Sequence, residues 1–220
     1  MIVLELEQGT EEWHQARVGV ITASCAKDAT ETLKKTGEPS DKAIRYAAQV
    51  AMERVAGVPC DDTFVNFAMR RGSELEPRAR EAYEIETGQA VYQSGIVLTD
   101  DRRFGYSTDG FVGLDGCVEI KCPLSPLVVI RMWQTGDLSD YIHQIQMGLW
   151  LTGRRWCDFI MFDPRLESVG KSLYVKRIAR DEAFIEKLEA DLLAAMKRVD
   201  EFVAVLTGPA AANDAQALAA

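Results

Sequence analysis

The chain has 220 residues, 47% of them apolar, enough to bury a proper core and consistent with one domain over 1–206 and a frayed Ala-rich tail over 207–220. No run approaches the roughly 18 uninterrupted apolar residues of a membrane helix, and "MIVLELEQGTEEW" lacks the basic segment and long apolar run of a signal peptide, so a cytoplasmic protein is expected. Five scattered cysteines without a C-x-x-C pair argue against a disulfide framework or a structural zinc site, and a net charge of -9 counts against nucleic acid as a partner of the whole surface.

The predicted elements begin with a short helix over "TEEWHQARVG", where Thr10 is placed as N-cap and Trp13, Ala16 and Arg17 share a face. "ITASCAKDATETL" follows as a second helix, with Thr22 or Ser24 as its cap. After a polar loop at 34–41, "KAIRYAAQVAMERVAG" has helical periodicity and closes at Gly57. Another helix covers "PRAREAYEIETG" and ends at Gly88. The period then changes, and "AVYQSGIVLTDD" and "FGYSTDGFVGLDGCVEIKC" alternate as strands. "SDYIHQIQMGLWLTG" returns to helix with Gly153 as C-cap, "WCDFIMFDP" and "SLYVKRIAR" are two more strands, and "DEAFIEKLEADLLAAMKRVDEFVAVL" is a long amphipathic helix. This order predicts an α/β fold with a central mixed sheet flanked by helices. Basic residues cluster in "MRRGSELEPRAR" and "TGRRW", which leaves open a basic channel on an acidic protein or two solvated helix faces.

The chemistry concentrates in "YSTDGFVGLDGCVEIKCP", residues 106–123. In the strand "CVEIKC", Glu119 and Lys121 share one face while Val118 and Ile120 take the other. A two-residue Asp115-Gly116 turn would point Asp109 away from Glu119. A three-residue loop, Leu114 to Gly116 with Gly116 left-handed, pairs Gly113 with Cys117 and Asp109 with Lys121, putting Asp109, Glu119 and Lys121 on one face. The expectation is therefore the three-residue loop. Two carboxylates held together repel and raise each other's pKa, a cost that a divalent cation removes. Oxygen ligands without histidine or thiolate suit Mg²⁺ or Mn²⁺, and a lysine beside such an ion orients or deprotonates an attacking water. Spacing alone leaves a plainer reading open, a surface salt bridge of Lys121 with either acid.

This D-x₉-E-x-K hairpin resembles the signature of the PD-(D/E)xK nuclease superfamily, with Thr108 before Asp109 where proline is frequent. "WHQARVGVITAS" (13–24), "GSELEPRARE" (72–81), "YSTDG", "VEIKCP", "YIHQIQMGLW" (141–150) and "FDPR" (162–165) are similar, in order and spacing, to the bacteriophage lambda exonuclease family of viral-type alkaline exonucleases, over roughly residues 7–205. The resemblance implies a PD-(D/E)xK restriction-endonuclease-like core. It also implies a processive Mg²⁺-dependent exonuclease that degrades the 5′-ended strand of linear double-stranded DNA, releases 5′-mononucleotides and leaves 3′ overhangs for phage-type recombination.

By that resemblance Asp109, Glu119 and the Ile120 carbonyl ligate metal, two Mg²⁺ ions with Mn²⁺ as substitute, and Lys121 positions the water. Glu76 matches an acidic residue near the metals, although Ser73-x-x-Glu76 also reads as a capping box; Pro77 makes a continuous helix from Ser73 awkward. Gln144 matches an active-site glutamine, with Gln146 as second choice. Arg17 and Ser24 match the pocket for the terminal 5′-phosphate, with Ser107 beside them, and a guanidinium, a hydroxyl and backbone amides at a helix start suit an anion. A further basic residue of that pocket is absent where Leu127 stands, and Arg131 is the candidate substitute. His14 and Trp13 read as packed residues rather than as a catalyst and a base-stacking platform. The family also implies a ring-shaped homotrimer around DNA and a single-strand annealing protein as partner, in the cytoplasm of a bacterial host.

Other readings compete. A restriction-type endonuclease shares the hairpin but leaves "WHQARVGVITAS" unexplained. An iron-sulfur nuclease lacks a cysteine after Cys157. A non-catalytic DNA-binding subunit sits poorly with intact Asp109, Glu119 and Lys121, and a glycosidase would not need the lysine.

Overall fold

The computed structural model describes residues 1–60 and 67–209; the tail expected to fray lies outside these from residue 210 onward. In chain order the elements are β1 (Ile2–Leu4), α1 (Glu11–Ala16), β2 (Ile21–Thr22), a 3₁₀ turn (Ala23–Cys25) leading into α2 (Ala26–Ala29), α3 (Asp41–Ala56) and α4 (Phe67–Thr87). There follow β3 (Val91–Tyr92), β4 (Ile96–Leu98), β5 (Phe104–Ser107), β6 (Gly110–Val112), β7 (Gly116–Lys121), α5 (Pro126–Thr135), α6 (Ile142–Thr152) and β8 (Trp156–Phe162). A 3₁₀ helix (Pro164–Val169), β9 (Leu173–Ala179) and α7 (Glu182–Thr207) complete the described chain.

The caps explain several boundaries. The Thr10 hydroxyl accepts from the Trp13 amide at the start of α1, and Ser40 does the same for Ala43 at the start of α3. Gly57 and Gly153 end α3 and α6 in the left-handed conformation, φ 71° and 67°, which costs glycine little. The expected helix over 21–33 is shorter, a 3₁₀ turn and one turn of α-helix, and neither Thr22 nor Ser24 caps it; their hydroxyls lie 3.2 Å apart and bond each other instead.

The strands form two mixed sheets rather than one. The four-stranded sheet has the order β1-β4-β5-β2 with β2 and β5 parallel, and the five-stranded sheet has the order β3-β6-β7-β8-β9 with β7 and β8 parallel. One core lies between the first sheet and helices α3, α6 and α7, around Phe104, Tyr106, Val50, Met147, Leu192 and Met196. The second sheet is covered on both faces. Cys117, Phe159 and Met161 pack toward α5 and α6, while Val118, Ile120 and Ile160 pack toward Ala79 and Tyr83 of α4. Each fully buried large side chain contributes about 1.5–3 kcal/mol. Among the described residues no helix is long and apolar enough to cross a membrane.

The hairpin loop has three residues, as expected, but they are Gly113 to Asp115: Val112 pairs with Gly116 and Gly110 with Val118. The left-handed residue is Gly113, φ 52°, and not Gly116. Gly116 serves packing instead, since a β-carbon there would lie 2.2 Å from the Trp156 ring. Carried one residue further, the register sets Asp109 across from Glu119 rather than Lys121, which leaves all three on the same face.

At the centre of the second sheet the buried Asp158 accepts from the Tyr83 hydroxyl at 2.7 Å and from Arg177 Nε and Nη2 at 2.8 Å each, tying α4, β8 and β9 together. Asp158→Ala would leave a buried hydroxyl and a guanidinium unpaired, and should cost about 3 kcal/mol in urea unfolding; a loss under about 1 kcal/mol would show that the network contributes little.

Candidate active site

Asp109 stands where the chain passes from the first sheet to the second, in a bend between β5 and β6. The bend is held by Thr108, fully buried, whose hydroxyl donates to the Gly110 carbonyl at 3.0 Å and accepts from the Gly110 amide at 3.2 Å. From outside, Gln8 Nε2 donates to the Thr108 carbonyl at 2.8 Å. Asp109 Oδ2 then accepts from the Ile120 amide at 2.6 Å, fastening the bend to β7.

Glu119 is 1% exposed. Its Oε1 accepts from Lys121 Nζ and from Gln144 Nε2, each at 2.6 Å, and its Oε2 lies 3.4 Å from the Tyr106 hydroxyl. Burial pushes the Asp109 carboxyl well above its usual range, and Glu119 and Glu76 push the same way against Lys121. Burial pulls the Lys121 ammonium down, but the two neighbouring carboxylates outweigh it and hold the group above its ordinary value.

Glu76 reaches the site from α4, whose interior contains both Ser73 and Pro77. The capping-box reading therefore fails, and so does the expectation that Pro77 breaks the helix: packing of Ala79 and Tyr83 against the second sheet carries α4 through it. Glu76 Oε1 accepts from Arg80 Nη2 at 2.6 Å, and burial raises its pKa, with Glu119 adding and Arg80 subtracting.

Gln144 and Gln146 part clearly. Gln144 is on Glu119; Gln146 is buried away from it, donating to the Ala179 carbonyl at 2.9 Å and accepting from the Asp181 amide at 3.0 Å.

Among the described residues no three His, Cys, Asp or Glu side chains converge as a ready-made metal set. The donors present are carboxylate oxygens of Asp109 and Glu119 beside the Ile120 backbone, oxygen chemistry that fits Mg²⁺ or Mn²⁺.

Next to the acids lies a second group. Ser107 Oγ accepts from Trp13 Nε1 at 2.9 Å and lies 3.5 Å from Arg17 Nη1, and the Arg17 guanidinium stacks 4.3 Å above the Trp13 ring. Burial lowers the Arg17 pKa, and no salt bridge engages it among the described residues. Ser24 is exposed in the 3₁₀ turn that follows β2, the strand paired parallel to β5. Arg131 is exposed on α5, one helical turn after the exposed Leu127, and bonds none of these three. His14 packs edge-on against Trp13, ring centroids 4.9 Å apart. A cavity of about 630 Å³ runs from Trp13 and His14 to Glu76, Arg80 and Asp109.

The sequence reading missed Tyr106, Gln8 and Arg80. Tyr106 reads as a core position of an alternating strand, and only its place inside "YSTDG" signals more.

A family model described as the YqaJ-like viral recombinase domain matches residues 12–155, a span that contains each of these candidate residues except Gln8. Two crystal structures of LHK-Exo, an alkaline exonuclease from Laribacter hongkongensis, are each 37% identical to the chain and cover 90% of it and 96% of their own length. Their TM-scores are 0.80, in complex with dAMP, and 0.79. A phage related exonuclease from Haemophilus somnus 129PT, 17% identical, covers 86% of this chain and 96% of its own with a TM-score of 0.66, and shares the fold. Among curated proteins nothing matches.

Because Gln146 is itself buried and bonds two backbone groups, Gln146→Leu should lower unfolding stability by about 2 kcal/mol. A loss under about 0.5 kcal/mol in urea titrations would contradict this.

Proposed function

The chain belongs to the YqaJ-like viral recombinase family and is a DNA exonuclease, and we propose that it degrades the 5′-ended strand of linear duplex DNA, one nucleotide at a time, using Mg²⁺. The observation that carries this reading is the separation of Ser107 from Asp109. Two residues of chain span at most about 7 Å, comparable with one extended nucleotide step. A terminal phosphate held by Arg17, Ser107 and Ser24 would therefore leave the next phosphodiester over Asp109 and Glu119, and the 630 Å³ cavity that reaches from Trp13 to Asp109 has room for one nucleotide. The complex of LHK-Exo with dAMP supports a mononucleotide as the product.

In this mechanism the Arg17 guanidinium, partly desolvated and without a salt bridge among the described residues, binds the 5′-phosphate through charge-assisted hydrogen bonds. A divalent cation held by Asp109, Glu119 and the Ile120 carbonyl would supply Lewis-acid polarisation of the scissile phosphate. Glu119 fixes the Lys121 ammonium at 2.6 Å, so Lys121 orients the attacking water. Gln144 holds the same Glu119 oxygen, and Glu76 adds negative charge at the edge of the centre. To Arg131 we assign the phosphate interaction that the apolar side chain of Leu127 cannot make. Processive action on the duplex that leaves a 3′ overhang, a ring-shaped homotrimer that surrounds the duplex, an annealing protein that takes the overhang, and a place in the bacterial cytoplasm complete the proposal. A ring with a basic channel would reconcile DNA binding with the net charge of -9.

The test is digestion of a linear duplex with and without a 5′-phosphate, in Mg²⁺ and in EDTA, beside a closed circle. Shortening from 5′-phosphorylated ends, only with metal, is expected, with mononucleotide product. Lys121→Ala should lose a factor on the order of 10²–10³ in kcat. Arg17→Ala should lose roughly ten-fold or more of the preference for phosphorylated ends. Cutting of the circle would leave the acid and lysine chemistry standing and remove the exonuclease direction.

A further inference from the structure

Tyr106 is 1% exposed, and its hydroxyl must find a partner inside the protein. The acceptor is Glu119 Oε2 at 3.4 Å. The other oxygen of that carboxylate already accepts two bonds, from Lys121 and Gln144. Oε2 is thus the oxygen left to face a cation, and its orientation depends on the tyrosine.

The tyrosine, in turn, depends on a glycine. A β-carbon at Gly148 would lie 2.6 Å from Tyr106 Cζ and 2.7 Å from Cε1, so any side chain there would drive the ring aside. Gly148 and Gln144 are four residues apart on α6 and lie on one face. One turn of this helix therefore treats the two oxygens of Glu119 together: Gln144 bonds Oε1 directly, and Gly148 opens the notch through which Tyr106 reaches Oε2. The ring packs in the first core with Phe104 and Met147, and the hydroxyl has the Thr108 side chain as its other neighbour.

We propose that Tyr106 is a positioning residue of the reaction, acting through Glu119, and that Gly148 is the seat that makes it possible. The inference rests on Asp109 and Glu119 being the cation ligands, and it assigns to Tyr106 the affinity of that centre rather than the fold. Removing the hydroxyl leaves Glu119 oriented through Oε1 alone while the ring still fills its space.

The experiment is calorimetric titration of the metal-free full chain with Mn²⁺, without DNA, alongside its thermal unfolding. Tyr106→Phe should weaken Mn²⁺ binding about ten-fold, the effect typical of a residue that orients a metal ligand, with the unfolding midpoint of the metal-free chain little changed. Gly148→Ala should weaken Mn²⁺ binding in the same direction with the tyrosine hydroxyl still present. Affinity within about two-fold of the unsubstituted chain for Tyr106→Phe overturns the proposal. If that variant does not fold, the Gly148→Ala titration decides it by the same criterion. Asp109→Asn is the control for the premise: undiminished Mn²⁺ binding there would remove the cation reading itself, a result separate from either outcome at Tyr106.

Discussion

Burying the carboxylate of Glu119 at 1% exposure is the constraint around which this structure is arranged. An ionised group taken out of water without partners costs several kcal/mol even after relaxation, and here two more carboxylates, Asp109 and Glu76, are close enough to raise that cost. The fold answers with donors from separate elements: Lys121 from β7 itself, Gln144 from α6 and Tyr106 from β5. Each stands on a regular element, so the offset is obtained without ordering a loop at the moment of use. The residual repulsion among the acids is what a divalent cation would relieve, and that is why a cluster poorly suited to stability is well suited to phosphate chemistry.

The same logic explains the surrounding anchors. Asp163 of "FDPR" accepts from Arg165 Nε at 2.8 Å and lies 3.6 Å from Arg71, and Arg71 donates to the Cys122 carbonyl at 2.8 Å. This fixes the chain immediately after Lys121 to α4. Arg54 and Arg103 meet on Asp200 of α7, at 3.2 and 2.5 Å, clamping α3 and the turn before β5 to the long helix. Ion pairs with exposed members add little stability singly. Their use here is to set where β5 begins and where β7 ends, the two chain segments that bracket the acids.

Much of this was legible in the sequence, and the losses have physical causes. Parity made the hairpin readable: any odd-numbered loop keeps Asp109, Glu119 and Lys121 on one face, so the shift of the loop from 114–116 to 113–115 moved the partners without scattering the site. Choosing between Gly113 and Gly116 required knowing that Trp156 lies on the second of them, a contact made by a distant strand. The continuity of α4 through Pro77 was hidden because proline is a local signal, and the apolar face that overrides it packs on strands far along the chain. Tyr106 and Gly148 were invisible for a related reason. Each is ordinary in its own element, and only their apposition gives either a purpose.

The site lies at a discontinuity, and this has a structural reason. A regular sheet satisfies its backbone groups with neighbouring strands and leaves none for other work. At Thr108 and Asp109 the chain leaves β5 of one sheet for β6 of the other, and the regular ladder is interrupted there. The groups released are taken up by side chains: Gln8 on the Thr108 carbonyl, the Thr108 hydroxyl on Gly110, and the Asp109 carboxylate on the Ile120 amide. The N-terminal segment is thereby drawn onto the seam, which brings Trp13 and Arg17 to Ser107. The meeting of a half-buried cation, at Ser107, with the acids, at Asp109 two residues further on, thus follows from a single switch between sheets. Had β5 and β6 continued as one strand of one sheet, Ser107 and Asp109 would occupy the same regular face and neither would need the N-terminal helix to complete it.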